Sequence, residues 1–482
     1  MQKVWSISGR SIAVSALALA LTACQSMRGP EPVAQADIPT GYIGSTTGPS
    51  VAEQGYKDFF ADQRLVQVIE LALANNRDLR TATLNIQRAQ QAYQISENNQ
   101  LPTIGASGSV LRQDTLSSNK PMTTYNVGLG VTAYELDFWG RVRSLKDNAL
   151  DSYLATQSAR DATQISLIGQ VAQAWLSYSF ANANLKLADQ TLKAQLESYN
   201  LNKKRFDVGI DSEVPVRQAQ ISVETARNDV ANYKTQLAQA QNLLNLLVGQ
   251  PVPANLLSPQ PVKRITQSTA LTAGLPSDLL NNRPDVRAAE YQLSAAGANI
   301  GAAKAQLYPT ISLTGTAGYA STDLSDLFKS GAFVWSLGPS LDIPMFDCGT
   351  RRANVKISET DQKIALSDYE KTIQTAFREV NDALATRANI GDRLTAQRRL
   401  VDATNTTYKL SNARFRAGID SYLTVLDAQR SAYSAEQGLL LLQQANLNNQ
   451  VELYKTLGGG LKTNTSDTVT PQPSSAKIHA AQ

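Results

Sequence analysis

Histidine is nearly missing from this chain: the only one in 482 residues is His479, inside a Ser/Pro/Ala-rich terminal stretch. Cysteine is almost as scarce, with Cys24 and Cys348 alone. A metal site would have to be all-carboxylate, and acid–base or triad chemistry that relies on histidine is excluded from the folded part. No glycine-rich phosphate-binding loop occurs, so the chain has no energy-coupling motif of its own. Charge of one sign is lacking too. The net charge is +4, and it falls to +2 without Lys3 and Arg10, so there is no basic field to attract nucleic acid. Aromatics are 6% and charged residues 18% of the chain, and the remainder leans on Ala, Gln, Leu, Asn, Ser and Thr. That mixture suits long helices and polar-faced strands better than a compact enzyme core. Neither enzyme chemistry, nor a cofactor, nor a metal is expected.

What is present begins with an export signal over residues 1–23. Lys3 and Arg10 make a positive start, an apolar run from Ile12 to Ala20 follows, and Leu21-Thr22-Ala23-Cys24 ends it. The run is too short for a permanent membrane span, which needs about 20 residues. Cys24 directly after small residues resembles a lipoprotein processing site, where Cys becomes an acylated N-terminus. Gln25 in the next position resembles an outer-membrane address. Two or more acyl chains anchor stably, at ~0.8 kcal/mol per buried CH₂. With Cys24 acylated, Cys348 has no partner and no disulfide is expected. Residues 24–62 read as a lipid-anchored tether and 459–482 as a flexible tail.

Between them the chain is duplicated. Asn75-Asn76-Arg77-Asp78-Leu79-Arg80 recurs as Asn281-Asn282-Arg283-Pro284-Asp285-Val286-Arg287, and Leu101-Pro102-Thr103-Ile104 as Tyr308-Pro309-Thr310-Ile311. Arg205-Phe206-Asp207-Val208-Gly209-Ile210-Asp211-Ser212 recurs as Arg414-Phe415-Arg416-Ala417-Gly418-Ile419-Asp420-Ser421, and Leu247-Val248-Gly249 as Thr456-Leu457-Gly458. The offset stays between 206 and 209, which is one full-length duplication (63–258 and 259–458) and no short-period solenoid.

Each half predicts the same order of elements. A first helix (Leu65–Gln100; Arg287–Leu307) stops before Pro102 or Pro309. A β-hairpin follows, about 103–138 and 310–346, in which apolar residues alternate with Gly, Ser and Thr, as in Tyr125–Ala133 and Ile311–Tyr319. Such strands suit a membrane barrel with a wet interior, and Tyr125, Tyr319, Phe333 and Trp335 are candidates for its aromatic girdle. Proline-free helices from about Val142 to Asp207 and Ala353 to Arg416 come next, each roughly 100 Å long. A glycine turn then reverses the chain into a shorter helix. That helix matches the long one only if stacked end to end with the first helix of its half. The expected fold is thus an α+β membrane protein, a long α-helical barrel plus a transmembrane β-barrel. Four strands per chain cannot close a barrel. Three chains supply twelve strands and twelve helical columns, with a bore of about 25–28 Å at helix spacings of 9–10 Å. A homotrimer is the expectation, though a tetramer remains open on arithmetic alone.

The lipoprotein-like start, Asn76-Arg77-Asp78-Leu79-Arg80, Tyr134-Glu135-Leu136-Asp137-Phe138-Trp139-Gly140-Arg141-Val142-Arg143, the two Arg-Phe-x-x-Gly turns and Leu426-Asp427-Ala428-Gln429-Arg430 together resemble the TolC/OprM family, over about residues 56–458. The resemblance implies the exit duct of a tripartite multidrug efflux pump, with its barrel in the outer membrane and its helices in the periplasm. Its implied partners are a periplasmic adaptor and an inner-membrane RND transporter. Cys348 departs from the pattern at a strand-to-helix junction.

The resemblance also implies site residues. Arg205, Gly209, Ser212, Arg414, Gly418 and Ser421 are candidate adaptor contacts at the tips. Read physically, the glycines end helices at positive φ and the serines can cap the next ones. Leu423 and Asp427, i and i+4 on one helix, with Asp420 a turn earlier, match positions that narrow the periplasmic mouth in the lipidated branch. Arg430 is placed to pair with Asp427 and latch a closed state. The first half has Val214 and Gln218 instead of Leu423 and Asp427. A solvated carboxylate on an exposed helix remains the simpler alternative for Asp427. A protein-secretion duct and a poreless periplasmic scaffold remain the alternative functions.

Overall fold

The computed structural model describes residues 27–35, 50–114, 121–258, 261–267, 272–274 and 276–466. Cys24, His479 and the tip of the first β-hairpin lie outside these residues.

The first helix is two helices, α1 (Gln63–Asn75) and α2 (Arg77–Asn98), rather than the single run expected over 65–100. Asn76 is the reason. Its backbone is extended (φ −60°, ψ 133°) and its side-chain oxygen accepts from Leu79 N at 2.8 Å, which starts a new helix. Strands β1 (Ile104–Gln113) and β2 (Met122–Glu135) follow, then α3 (Arg141–Asp207) and α4 (Glu213–Val248). The second half repeats this as α5 (Pro276–Asn282), α6 (Pro284–Ala305), β3 (Thr310–Ser321), β4 (Phe333–Asp342), α7 (Thr350–Arg416) and α8 (Tyr422–Thr456). Both α3 and α7 run 67 residues, about 100 Å at 1.5 Å per residue.

Beside α3, α4 meets the α1–α2 break end to end; beside α7, α8 meets the α5–α6 break in the same way. The splices show why the repeated motifs recur. Asn76 Nδ2 donates to Leu247 O at 2.8 Å near the end of α4. Arg283 Nη1 donates to Thr456 O at 3.2 Å at the end of α8. Leu247 and Thr456 are repeat equivalents, so one carbonyl position is satisfied by an amide in one half and a guanidinium in the other. Gly249 (φ 78°) and Gly458 (φ 93°) close these helices, and a Cβ there would fall 2.5 Å from Asn75 O and 2.4 Å from Asn282 O.

The main core gathers around the two splices at mid-height of the long helices. Trp175, Phe180, Leu65, Ile69, Tyr454, Phe59 and Phe60 are fully buried there. Phe59 stacks on Tyr454 with centroids 3.9 Å apart, and Trp175 Nε1 donates to Leu256 O at 3.0 Å. This belt also captures segments expected to be loose. Residues 459–466, assigned to the flexible tail, run back along the chain start. Tyr56 N donates to Lys462 O and Lys57 N to Thr463 O, both at 3.1 Å, while Asp58 accepts from Thr465 N and Oγ1. Within the expected tether, residues 27–35 lie against helices, and Tyr56–Phe59 is a one-turn helix in the belt.

The four strands form one antiparallel sheet in the order β1-β2-β3-β4. Its register sorts side chains by face, because directly paired residues point to the same side. Ile104, Val110, Tyr125, Val127, Leu129, Tyr319, Phe333, Trp335, Leu337 and Leu341 share one face. Gly105, Ser107, Ser109, Asn126, Gly128, Gly130, Ser312, Thr314, Thr316, Ser336 and Ser340 share the other. All four candidate girdle aromatics stand on the apolar face, with Phe328 edge-on to Tyr319. Edge strands β1 and β4 are exposed along their whole length.

Candidate functional site

The α3–α4 and α7–α8 turns are built alike. Gly209 (φ 75°) and Gly418 (φ 74°) take the left-handed conformation that ends each long helix. Ile210 N donates to Arg205 O and Ile419 N to Arg414 O, both at 2.9 Å. Each arginine then reaches across its own turn. Arg205 Nε lies 2.6 Å from Asp211 Oδ2, and Arg414 holds Asp420 through Nε and Nη2 at 2.6 and 2.9 Å. These bonds from Arg414 keep the Asp420 carboxyl below the usual carboxylate range.

This geometry corrects three expectations. Asp420 belongs to the turn clasp and not to the face that carries Leu423 and Asp427, because Arg414 holds it. Ser212 and Ser421 occupy the cap positions, yet neither side chain makes a capping hydrogen bond. Among the described residues Asp427 and Arg430 form no ion pair; both are exposed, and Asp427 lies one turn from Leu423 on the same open face of α8. The opposite face, with Tyr422, Val425, Leu426 and Gln429, is buried. Leu423 is 50% exposed and its first-half counterpart Val214 61%.

Sequence reasoning missed the ties between the two helical hairpins. The Arg205 guanidinium sits 5.2 Å from the centre of the Phe415 ring, and Phe415 leans on Tyr422 at 5.6 Å. Higher up, Tyr433 Oη donates to Asp229 Oδ2 at 3.2 Å and Gln437 Nε2 to Tyr233 Oη at 2.9 Å. Burial, and then the Asp229 carboxylate, push the Tyr433 phenol far up. Burial pushes Tyr422 up to about 12. Both partners of each hydrogen bond sit 204 residues apart, close to one repeat, which is the only sequence signal that points to them. Beyond the turns, Val208, Ile210 and Ile419 stand exposed as an apolar end surface.

No helix among the described residues is long and apolar enough to cross a membrane, and no group of His, Cys, Asp and Glu there is placed to hold a metal ion. The sheet is the element with a lipid-compatible face. Its apolar side carries aliphatic and aromatic residues, among them Ile104, Val127, Leu129, Tyr319, Trp335 and Leu337, and its other side is rich in glycine and hydroxyls, bridged by Thr316–Ser336 and Ser312–Ser340 contacts at 2.6 and 2.7 Å.

Comparison with known proteins agrees with this architecture. The family profile described as outer membrane efflux protein matches residues 68–250 and 275–459, one segment per half. ArpC of Pseudomonas putida, an antibiotic efflux pump outer membrane protein, is 43% identical over 443 residues, covering 90% of this chain and 91% of its own length. The cation efflux system protein CusC of Escherichia coli is 39% identical over 408 residues, covering 84% and 89%. Among solved structures, the open state of the MtrE outer membrane channel of Neisseria gonorrhoeae superposes with a TM-score of 0.85 at 37% identity, covering 92% of this chain and 100% of that one. A duplicated helical column, a two-faced four-stranded sheet and two matched halves make this chain a member of the outer membrane efflux protein family, a channel subunit of the outer membrane and not an enzyme.

Proposed function

We propose that three copies close into one tube that conducts small molecules from a periplasmic adaptor and an inner-membrane RND transporter to the outside. One observation carries this reading. The sheet is two-faced and ends in unpaired edge strands β1 and β4, so it is complete only when β4 of one copy meets β1 of the next. Twelve strands and twelve helical columns follow from three copies, and the bore of about 25–28 Å, at helix spacings of 9–10 Å, passes drug-sized molecules. ArpC and CusC are named for antibiotic and cation efflux. Their names support small-molecule cargo here.

At the periplasmic end, threefold symmetry gathers three copies of the open α8 face. Three Leu423 side chains narrow the mouth and three Asp427 carboxylates favour cations. Arg205, Gly209, Ser212, Arg414, Gly418 and Ser421, with the apolar Val208, Ile210 and Ile419, form the end surface an adaptor meets. Asp420 acts there as a turn clasp, through Arg414. Acyl chains on Cys24 add an anchor in the outer membrane.

Single-channel recording in planar bilayers tests the gate. Leu423→Ala combined with Asp427→Ala raises conductance, and an unchanged conductance overturns the assignment. The mass of the complex in detergent tests the assembly, where anything but three copies removes the pore geometry.

A further inference from the structure

The four strands carry three charged side chains, and the register sends them to different places. Glu135 and Asp342 lie on the glycine and hydroxyl face at the base of the sheet, opposite Ser312 and Thr310. Arg112 lies on the apolar face, opposite Thr123 near the far end of β1. It is exposed, and among the described residues its side chain makes no hydrogen bond or ion pair, not even with Asp114 two residues on. On a lipid-facing surface a guanidinium is costly at the bilayer midplane and nearly free at its edge. Its height therefore decides what it meets.

The duplication fixes that height. The two halves join through the β2–β3 pairing, in which Val127 stands opposite Tyr319. Ile104 pairs with Val131 and Ile311 with Leu341, so Val127 is equivalent to Leu337, and Tyr319 to Arg112. When β4 of one copy meets β1 of the next, the same pairing sets Leu337 opposite Arg112 of the next copy. One row of paired residues then runs Ile104, Val131, Gly315, Leu337 and on to that Arg112. It climbs from position 104 to position 112 over four strands, whatever the number of copies. Residues of equal height therefore drop two positions below the row at each strand.

From Arg112 that rule gives one closed ring: Arg112, Tyr125, Tyr319, Trp335, and Arg112 again. Beneath it lie Val110, Val127, Ala317 and Leu337, while above it Thr123 and Ser321 replace apolar residues on β2 and β3. The apolar surface thus ends along one line. Three strands mark that line with an aromatic ring, as membrane barrels do at an interface, and β1 marks it with a guanidinium. The opposite strand ends join the helices, with α2 leading into β1 and β2 into α3, so this is the outer interface. Diagonal neighbours in a sheet stand about 7–8 Å apart, within reach of long side chains. Arg112 is flanked in this way by Tyr125 and by Trp335 of the adjoining copy. Aromatic faces attract a guanidinium without using its N–H groups, which leaves its planar fork for an anion with two matching oxygens. At a bilayer interface the anion of that geometry is a headgroup phosphate.

We propose that Arg112 forms a binding site for a phosphorylated lipid of the outer leaflet, with its guanidinium on the headgroup phosphate between Tyr125 and Trp335 of the adjoining copy. The site rests on the reading that β4 meets β1 between copies. Each such seam holds one site, whereas at the β2–β3 junction the equivalent residue, Tyr319, supplies no cation.

Native mass spectrometry of the assembled channel in detergent, titrated with diphosphoryl lipid A, tests this. Arg112→Gln weakens binding about fivefold or more and Arg112→Lys less, while Lys329→Gln, which removes a cation already tied to Asp326, leaves it within about twofold. On the dephosphorylated lipid the native and Arg112→Gln channels bind alike. Equal binding of diphosphoryl lipid A by those two channels, or a difference that survives dephosphorylation, overturns the proposal. Oxidative cross-linking of Val110→Cys with Pro339→Cys, in the Cys348→Ser chain, separates the site from the reading beneath it. Covalently joined copies whose lipid binding ignores Arg112→Gln remove the lipid contact alone. A failure to join copies removes the closure, and with it the flanking of Arg112 by Trp335.

Discussion

The coaxial splice at Asn76 supports a quantitative prediction. Asn76 is 6% exposed and does two things with one amide: its oxygen caps Leu79 N, and its nitrogen satisfies Leu247 O. Asn76→Ala removes the cap, which costs about 0.5–2 kcal/mol, and strands a carbonyl, which costs about 1–3 kcal/mol. Partial access of water to the end of α4 places the combined effect near 2 kcal/mol, or about 30-fold in a local opening constant at ~1.4 kcal/mol per decade. Asn76→Ser keeps a capping oxygen but is too short to reach Leu247 O, so about 1 kcal/mol and fivefold are expected. The assay is hydrogen exchange of the first turn of α2 in the detergent-solubilised assembly, where local openings are read without assuming two-state unfolding. Less than threefold acceleration in Asn76→Ala, or equal effects from Ala and Ser, would refute the claim that this side chain joins the columns.

Other consequences can be checked separately. Arg283→Ala removes a guanidinium shared by Asp285, Glu379 and Thr456 O, so a loss of about 3–5 kcal/mol is expected, read as a collapse in the yield of heat-resistant assembled channel; a near-native yield contradicts it. Gly458→Ala forces a left-handed alanine, about 1–2 kcal/mol, against Asn282 O as well, and channel yield in the outer membrane should fall. Asp420 is held below the ordinary carboxylate range by Arg414. Because its folded pKa is depressed, its contribution is complete above the unfolded value of about 3.9 and lost as pH falls through the folded one. Amide exchange in the Gly418–Ser421 turn, corrected for intrinsic pH dependence, should hold steady from pH 7 to 5 and rise below about 4; a flat profile down to pH 2 shows that the clasp does not order the turn. Asp427→Arg should turn the cation preference of the pore toward anions in reversal-potential measurements, and an unaltered reversal potential removes Asp427 from the mouth.

Much of this molecule was legible in its residues because its strongest signals are local and repeated. Prolines 102 and 309 end helices, glycines 209 and 418 reverse them, and alternation along Tyr125–Ala133 and Ile311–Tyr319 marks a two-faced strand; each effect acts over a few residues, and the second copy confirms the first. The long helices were placed to within about three residues for the same reason. The Asn76 break was not, since the motif Asn-Asn-Arg-Asp-Leu-Arg suits a helix interior nearly as well as a boundary. Only the arrival of the α4 end, 171 residues away, makes the capped conformation the favourable one.

The site divides along the same line. Composition and spacing located the tips, the two-faced sheet and the divergence of Leu423 and Asp427 from Val214 and Gln218. Tertiary structure alone decided that Arg414 takes Asp420, that Arg205 crosses to Phe415, and that residues 459–466 close on Tyr56 and Lys57. Each of those choices depends on which distant groups burial brings within hydrogen-bonding reach. Periodicity carries no record of that. A repeat determines what each half must look like, and packing between the halves determines what each charged side chain holds.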